Sequence, residues 1–343
     1  MAAGDLVLIT GASGHVGFRV LVFALQAGYR ARVAVRSHAK ADDILAAASI
    51  KALNSGSNIS FVIVPDILAD GAYDDAVNGV TYVIHCASPL TSGITEDFEN
   101  KIIQPALRGT MGILESADKT PGIKRVVITS SIVAIMPVTE MFAESGTVFD
   151  GQMKVPINPG PFRADFEAYC DSKVRALAAT HDFVAQKKPG FEVINIMPSF
   201  VFGKNELVTS VDDFAKGTNH LVFNQVLGIK NQMPLPGNTV YLDDVANLHV
   251  RSLDPSIPGN QDYLATSGGV EGNVFSDALD IVNKNFPDAV KQGILPNNGT
   301  QPTSKCLADA SRTEKVFGFT FAGLDKQVTE LAQNYIDLVA AKS

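Results

Sequence analysis

A tyrosine and a lysine stand four residues apart, at Tyr169 and Lys173, in a stretch of helical period. Residues with this spacing share one face of a helix, so the two side chains lie within reach of each other. A free tyrosine titrates near about 10, and a neighbouring ammonium lowers that pKa because it favours the phenolate. The pair could therefore transfer protons near neutral pH, although the same spacing also arises by chance in many helices.

A glycine-rich segment at residues 10–17, Thr-Gly-Ala-Ser-Gly-His-Val-Gly, follows an apolar run and opens a helical one. Its three glycines allow a tight turn, a close approach of backbone to phosphate, and close packing of the new helix on the strand. The helix start then directs unpaired N–H groups at the anion. A glycine pattern alone could be a flexible loop, but this context predicts a dinucleotide pyrophosphate site. The predicted contacts are Gly11, Ser13, Gly14, His15, Val16 and Gly17.

The end of the second predicted strand distinguishes NAD from NADP. An acidic residue there holds a ribose hydroxyl, whereas an arginine accepts the additional phosphate. This chain has Arg36, with Lys40 one turn further on. The arginine would bind the phosphate as a fork of donors and the lysine as a point charge. Asp42 and Asp43 could instead pair with either residue, but the favoured interpretation is NADP(H).

Two serines, Ser130 and Ser131, follow the apolar run at 125–129. In a parallel sheet, a hydroxyl at the carboxyl end of this strand would face the nicotinamide of a bound cofactor. The same residues could merely cap or turn the chain. We therefore treat them as candidate catalytic hydroxyls whose assignment depends on the rest of the site.

Short runs rich in Val and Ile alternate with longer helical segments along the first 200 or so residues, as is typical of βα units that form a parallel sheet. The runs are nearly continuous in apolar residues, as strands covered on both faces should be. Strands are predicted at 6–10, 31–36, 60–64, 82–86, 125–129 and 192–197. Helices are predicted at 16–27, 39–48, 71–77, 96–117 and 165–187. Right-handed crossovers would give an α/β fold with a doubly wound sheet.

After Pro198 the alternation changes to a Gly-, Asn- and Thr-rich stretch. We predict a dinucleotide-binding domain of residues 1–198, to which 239–265 return. Residues 199–238 and 266–343 would form a smaller substrate-binding lobe over the carboxyl edge of the sheet. Further helices are predicted at 241–253, 277–285 and 324–341, and a further strand at 263–265.

Composition excludes several classes of protein. A formal charge of −8 without a basic run argues against nucleic acid as a partner. The three scattered cysteines fit neither a disulfide framework nor a zinc site. No apolar stretch is long enough to span a membrane, and no signal peptide precedes the first strand, so we expect a cytoplasmic protein.

His85 beside Cys86 has no second histidine at ligand spacing, so no metal is predicted. Monomer and dimer both remain open.

The glycine fingerprint, the serines after the fifth strand and the Tyr-xxx-Lys together resemble the short-chain dehydrogenase/reductase superfamily. Four further segments resemble its extended subgroup, which holds dihydroflavonol reductases, cinnamoyl-CoA reductases and yeast methylglyoxal reductases. Within it, the resemblance is to fungal NADPH-dependent carbonyl reductases. It covers essentially the whole chain. The segments are residues 85–89, 168–173, 197–203 and 241–246.

This resemblance implies a Rossmann fold with a smaller C-terminal lobe, and it implies roles for individual residues. Tyr169 would protonate the substrate carbonyl oxygen, and Ser131, rather than Ser130, would hydrogen-bond it. Lys173 would hold the nicotinamide ribose and tune the tyrosine. The remaining implied cofactor contacts are Asp66 and Ile67 at the adenine, the backbone of Cys86, Ala87 and Ser88, and Pro198 and Val201 at the nicotinamide end.

One position departs from the resemblance. Many extended relatives carry an asparagine, proposed to support the proton relay, where this chain has Arg108. A relay through that side chain is therefore in doubt, and a water or the helix backbone could replace it. Arg108 could instead bind an acidic group of the substrate or lie solvated on its helix.

The predicted activity is NADPH-dependent reduction of an aldehyde or ketone, with hydride from NADPH and a proton from Tyr169. An epimerase or dehydratase acting on a nucleotide sugar shares the fold and the Tyr-xxx-Lys, although Arg36 argues against its usual NAD. A regulator that senses NADP(H) without chemistry is a third alternative. The predicted wall of the substrate pocket is largely apolar, which favours a hydrophobic carbonyl compound. It comprises Pro89, Leu90, Ile132, Ile135, Phe166, Phe202 and the segment 204–236.

Overall fold

The computed structural model describes residues 4–54, 56–89, 93–214 and 217–342. Their packing divides the chain into two compact units, each assembled from three segments. The first unit comprises the described residues of 1–138, 152–197 and 246–263. The second unit comprises those of 139–151, 198–245 and 264–343.

The strands, in chain order, are β1 (Leu6–Thr10), β2 (Arg30–Val35), β3 (Ile59–Ile63), β4 (Tyr82–His85), β5 (Arg125–Thr129), β6 (Val148–Asp150), β7 (Glu192–Pro198), β8 (Phe200–Phe202), β9 (Leu235–Pro236), β10 (Thr239–Tyr241), β11 (Gln261–Ala265), β12 (Thr303–Ser304) and β13 (Leu307–Asp309). The helices are α1 (His15–Gln26), α2 (His38–Ala46), α3 (Ala48–Ala52), α4 (Gln104–Asp118), α5 (Asp165–Lys187), α6 (Val211–Phe214), α7 (His220–Phe223), α8 (Leu242–Arg251), α9 (Asp277–Asn285), α10 (Pro287–Lys291), α11 (Ser311–Phe317) and α12 (Leu324–Lys342).

The first unit is built on a seven-stranded sheet in the order β11-β7-β5-β4-β1-β2-β3. β1 pairs in parallel with both β2 and β4, and the chain reverses its direction across the sheet at this point. The carboxyl ends of β1 and β4 therefore flank a crevice, which is where ligands bind in doubly wound folds. The predicted doubly wound α/β fold is confirmed.

The central strands are buried on both faces. Val7, Leu8 and Ile9 of β1 have no exposed surface, and neither have Val83 and Ile84 of β4. Helices that cover a parallel sheet on both sides select such continuous apolar runs, which is why the strands could be predicted. The predicted strands at 6–10 and 125–129 coincide with β1 and β5. Those at 82–86 and 192–197 differ from β4 and β7 by one residue at one end, and those at 31–36 and 60–64 differ from β2 and β3 by one residue at both ends.

The helix predicted at 71–77 is wrong, because these residues form a succession of turns. Gly71 adopts a left-handed φ of +67°, which a regular helix does not tolerate. Asp74 holds the segment in place instead, since its Oδ1 accepts a hydrogen bond of 2.6 Å from Ser116 Oγ on α4.

Two other predicted helices are interrupted. The helix predicted at 96–117 begins with a π-helical turn, Glu99–Ile103, before α4 starts. Pro105 stands at the beginning of α4 and has no N–H to donate, so the regular hydrogen-bond ladder cannot run through it. The helix predicted at 39–48 divides at Ala47, which has an extended ψ of 141° between α2 and α3.

The second unit has its own core and three two-stranded parallel pairs, β8 with β10, β9 with β12, and β6 with β13. Phe202 of β8 packs edge to face on Phe275, with ring centroids 6.2 Å apart. Phe223 and Leu331 lie in the same buried cluster. Helices α9 and α12 supply half of the remaining buried apolar side chains of this core.

The segments of the two units differ from the predicted domains in two places. Residues 139–151 were predicted in the first domain, but they belong to the second unit because β6 pairs with β13. The returning segment was predicted as 239–265, and it is 246–263 in the structure. Its first residues remain with the second unit because β10 pairs with β8.

Candidate active site

The glycine loop between β1 and α1 packs tightly against its neighbours. Gly11 has a φ of +74°, and a Cβ there would lie 2.6 Å from the backbone N of Ala87, which follows β4. A Cβ on Gly17 would lie 2.3 Å from the carbonyl oxygen of Gly11. Gly14 donates its N–H to the same carbonyl at 3.0 Å, and a Cβ there would have ordinary space. Gly11 and Gly17 therefore allow the strand ends and α1 to pack closely, and Gly14 is exposed at the start of α1.

Thr10, the last residue of β1, joins the two strand ends beside this loop. Its Oγ1 lies 2.9 Å from Nδ1 of His85 and accepts a hydrogen bond of 3.2 Å from the N–H of Ala87. Burial, together with the charge of Lys173, lowers the pKa of His85 to about 3, so its ring is neutral. This role of Thr10 was not predicted, although a polar residue at the end of an apolar strand is visible in the sequence.

The two cations predicted to bind the NADP phosphate differ in their surroundings. Lys40 forms an exposed ion pair of 2.8 Å with Asp43. Arg36 lies exposed at the end of β2, and within the described part of the chain its guanidinium has no hydrogen bond or ion pair. The sequence left open whether Asp42 or Asp43 pairs with either cation, and in the structure Asp43 pairs with Lys40.

The loop after β3 carries the predicted adenine contacts. Asp66 caps the loop, since its Oδ1 accepts a hydrogen bond of 2.9 Å from the N–H of Leu68. Ile67 packs, partly buried, on the core of the first unit. Arg108 reaches this loop from α4, pairs with Asp70 and donates from Nε to the carbonyl of Leu68 at 3.5 Å. Arg108 thus holds the loop after β3 in place, a role that was not predicted from the sequence.

Helix α5 places Tyr169 and Lys173 on one face, as their spacing predicts. Nζ of Lys173 lies 5.6 Å from the centre of the Tyr169 ring and donates a hydrogen bond of 3.2 Å to Oγ of Ser88. Only 9% of Lys173 is exposed, and this burial lowers the pKa of its ammonium to about 8. The lysine therefore joins helix α5 to the segment that follows β4.

Ser131 lies next to Tyr169, at the start of a short 3₁₀ turn, Ile132–Ala134. A side-chain hydrogen bond links Ser131 to the phenol of Tyr169. Burial raises the pKa of Tyr169, and the bond with Ser131 offsets only part of that effect. The expectation that Lys173 would bring this pKa towards neutrality is therefore not met, because desolvation outweighs it. Tyr169 keeps its proton at neutral pH and can donate it.

The remaining predicted substrate contacts of the first unit have unequal access. Phe166 is 39% exposed and stacks on Tyr169, with ring centroids 6.2 Å apart. Pro89 is partly buried, whereas Ile132 and Ile135 are buried. Phe166 therefore offers the largest accessible apolar surface beside the tyrosine among these residues. Leu90 lies outside the described residues.

Three further predicted contacts, Pro198, Val201 and Phe202, lie on strands. Pro198 ends β7, and Val201 of β8 pairs with Val240 of β10. Phe202 has no exposed surface and belongs to the core of this unit. Its ring therefore contributes to the packing of this core, and its role in the pocket wall stays a prediction.

Comparison with known proteins places the chain among reductases and epimerases. The model of the NAD dependent epimerase/dehydratase family matches residues 7–264. Ketoreductase CTB6 of Cercospora nicotianae is 36% identical to the chain, over 98% of this chain and 96% of that protein. NAD-dependent epimerase/dehydratase ALT6 of Alternaria alternata is 38% identical, over 94% and 95% respectively.

Solved structures share the architecture. Gre2 of Candida albicans in complex with NADPH aligns with a TM-score of 0.80 and 26% identity, over 97% of this chain and 99% of that one.

Among the helices of the described residues, none has the length and apolar character that a membrane span requires.

Proposed function

This chain belongs to the NAD dependent epimerase/dehydratase family. From that premise we propose that the protein is an NADP-dependent oxidoreductase, which reduces an aldehyde or ketone to the alcohol. The observation that carries the proposal is the grouping of Tyr169, Ser131 and Lys173 in the first unit. A protonated phenol beside a hydroxyl and an ammonium is suited to protonate a carbonyl oxygen as negative charge develops on it. The relatives named as ketoreductases support the same activity.

The residues of the first unit fit an NADP(H) molecule. Gly14 is exposed at the start of α1, so the N–H groups there can bind the pyrophosphate. Arg36, which has no partner in the described residues, can bind the additional phosphate as a fork of donors. Gre2 of Candida albicans, a relative in structure, was solved with NADPH. When bound, the cofactor supplies the hydride.

The protein's own groups then supply the proton and the electrostatic stabilisation. Tyr169 donates its phenolic proton to the carbonyl oxygen, and Ser131 hydrogen-bonds the same oxygen. Lys173 is held by Ser88, so its positive charge favours the phenolate that the proton transfer leaves behind. One hydride and one proton add across the carbonyl bond, which gives the alcohol.

The accessible apolar surface of Phe166 supports a hydrophobic substrate. A planar or aliphatic carbonyl compound can pack on this ring while its oxygen meets Tyr169.

The direct test follows the loss of NADPH absorbance with a panel of aliphatic aldehydes, aliphatic ketones and aromatic ketones, and identifies the products. We expect alcohol formation that depends on NADPH, with slower turnover on NADH. Retained NAD and conversion of a nucleotide sugar without net oxidation would instead assign an epimerase or dehydratase. Tight NADPH binding without turnover of any compound would indicate a regulator.

A further inference from the structure

An irregular segment of the first unit, residues 93–99, is attached to the start of α5 beside Phe166. The N–H of Gly93 donates to Oδ2 of Asp165 at 2.9 Å. Asp165 directly precedes Phe166, whose exposed ring stacks on Tyr169. The position of this segment is therefore linked to the part of α5 that carries the accessible apolar surface.

A second irregular segment, residues 154–164, leads into α5 and is attached on the other side of the same residue. The N–H of Arg163 donates to Oε2 of Glu167 at 2.8 Å. Glu167 directly follows Phe166 in the chain. The two segments are thus hydrogen-bonded to the two immediate neighbours of Phe166, and we call them the flanking segments.

Arg175, further along α5, holds both flanking segments with its guanidinium. Its Nε donates to Oδ2 of Asp171 at 2.6 Å, one turn earlier on the helix. Its Nη2 donates to the carbonyl of Asn158 at 3.1 Å, and its Nη1 lies 3.6 Å from Oε1 of Glu99. Asn158 and Glu99 belong to different flanking segments, so a single planar fork joins both of them to α5.

Asp171 completes this attachment from inside the helix. Its side chain is 3% exposed, and its Oδ1 accepts a hydrogen bond of 2.7 Å from the N–H of Asn158. A buried carboxylate requires such partners, and charge-assisted hydrogen bonds are stronger than neutral ones. The 154–164 segment is therefore fixed on α5 at two points, Asn158 and Arg163.

We propose that Arg175 is a positioning residue that fixes the two flanking segments beside Phe166 and thereby determines how well the site accepts an aromatic carbonyl compound. The inference rests on the proposed function. An aromatic ketone packs on the ring of Phe166, so its binding depends on the segments attached to either side of that ring. A short aliphatic aldehyde reaches Tyr169 and Ser131 without covering this surface.

The kinetic test compares Arg175→Lys with the unchanged protein. Lysine keeps a positive charge beside the buried Asp171, but its ammonium is a point charge that cannot reproduce the planar fork. We expect the KM for an aromatic ketone to rise about 3–10-fold, as for the loss of one aromatic contact. The KM for a short aliphatic aldehyde, kcat on that aldehyde and the Kd for NADPH should stay the same. A purely structural defect would impair both substrates alike.

Glu99→Ala is the second test, because it removes the contact of Arg175 with one flanking segment and leaves Asp171 paired. We expect a smaller rise in the same KM. If Arg175→Lys does not fold, Glu99→Ala decides. An unchanged ratio of the two KM values in the folded variants would overturn the proposal.

Arg32 provides a matched control in the first unit. Its Nη1 donates to the carbonyls of Ala76 and Asn78 at 2.8 Å and 2.6 Å, so it also holds a loop by its guanidinium. This loop belongs to neither flanking segment. Arg32→Lys should therefore leave the ratio of the two KM values unchanged.

Hydrogen exchange of the NADPH complex tests the positioning without a substrate. We expect faster exchange of the amides in both flanking segments in Arg175→Lys, because opening of these segments becomes easier, and no such change in Arg32→Lys. Unchanged exchange in Arg175→Lys would overturn the proposal. Absence of any carbonyl reduction by the unchanged protein would instead contradict the proposed function, so the two failures can be distinguished.

Discussion

Arg36 follows β2 and Lys40 lies on α2 four residues further on, but their side chains are not equally available. Lys40 is already paired with Asp43, whereas Arg36 has no partner among the described residues. The additional phosphate of NADP(H) would therefore be bound mainly by Arg36. Lys40 would have to leave an existing ion pair to contribute, although exposed pairs of this kind contribute only about 0–1 kcal/mol.

Replacing Arg36 should therefore distinguish the two cofactors. Arg36→Ala removes charge-assisted hydrogen bonds of about 1.5–3 kcal/mol in total, so the Kd for NADPH should rise about 10–100-fold. The Kd for NADH should not change, and Lys40→Ala should have a smaller effect. Fluorescence titration of both cofactors measures these values. Equal weakening of NADH and NADPH would show that Arg36 does not bind the phosphate.

Residue types and local spacing revealed part of this site but not its long-range contacts. Tyr169 and Lys173 share a face because a helix fixes their geometry, and that could be read from the sequence. Arg108 and Asp70 are 38 residues apart, and Thr10 and His85 are 75 apart. Such pairs form only when the sheet brings their elements together, so no local pattern indicates them.

At the scale of elements, the glycine loop depends on the packing of α1 against β1. Gly17 is the more sensitive position, because a Cβ there would meet the backbone oxygen of Gly11 at 2.3 Å and the loop would have to move. Gly112 on α4 is a matched control, since a Cβ there would meet nothing within 4 Å.

Alanine at these two positions should have opposite effects on stability. Gly17→Ala should lower the free energy of unfolding by about 1–3 kcal/mol through overpacking, and it should weaken NADPH binding as the loop shifts. Gly112→Ala should raise the free energy by about 0.5–1 kcal/mol, because glycine is unfavourable within a helix. Urea unfolding measures both. A Gly17→Ala variant as stable as the unchanged protein would contradict the packing described for the loop.

The strands could be predicted better than the short helices. Continuous apolar runs are required in a parallel sheet that is covered on both faces, so β1 and β5 were predicted to the residue. The segment at 71–77 has a helical pattern of apolar residues, but Gly71 adopts a left-handed conformation that the pattern does not reveal. Backbone conformation of this kind depends on tertiary contacts such as that of Asp74 with Ser116.

At the scale of the whole molecule, each unit draws on segments that are distant in the chain. Residues 139–151 join the second unit because β6 pairs with β13, more than 150 residues later. The spacing of apolar residues within one segment does not indicate which distant strand it will pair with. The change in residue pattern after Pro198 therefore indicated a division of the chain into two parts. It did not indicate to which of the two units each segment belongs.

Stability should depend on pH through Asp244 in the second unit. The pKa of this carboxyl is raised to about 6, mainly by burial and also by the charges of Asp243 and Glu314. The N–H of Ala322 donates a hydrogen bond of 2.7 Å to the carboxyl, which partly offsets this rise. The native state therefore binds this proton more tightly than the unfolded state, whose carboxyl has its ordinary pKa near about 4. As the pH rises from about 4 through 6, the ionised group increasingly destabilises the fold.

Asp244→Asn should remove this destabilisation while it keeps an oxygen for the N–H of Ala322. The free energy of unfolding should rise at pH 8 by about 1 kcal/mol, a value reduced for the partial exposure of the carboxylate. Below pH 4 the gain should vanish. Urea unfolding at both pH values measures the difference, and the exposed Asp42→Asn serves as a control. An equal gain at both pH values would exclude ionisation as its cause.

The central claim is that Tyr169 donates the proton in an NADPH-dependent carbonyl reduction. Tyr169→Phe removes one oxygen and keeps the ring that stacks on Phe166, so the fold and the cofactor site should persist. The measurement is NADPH-dependent turnover of the best carbonyl substrate, together with NADPH affinity, in the variant and the unchanged protein. We predict loss of nearly all turnover, at least about 10²-fold as expected for a general acid, with NADPH affinity almost unchanged. Undiminished turnover in Tyr169→Phe would contradict the claim.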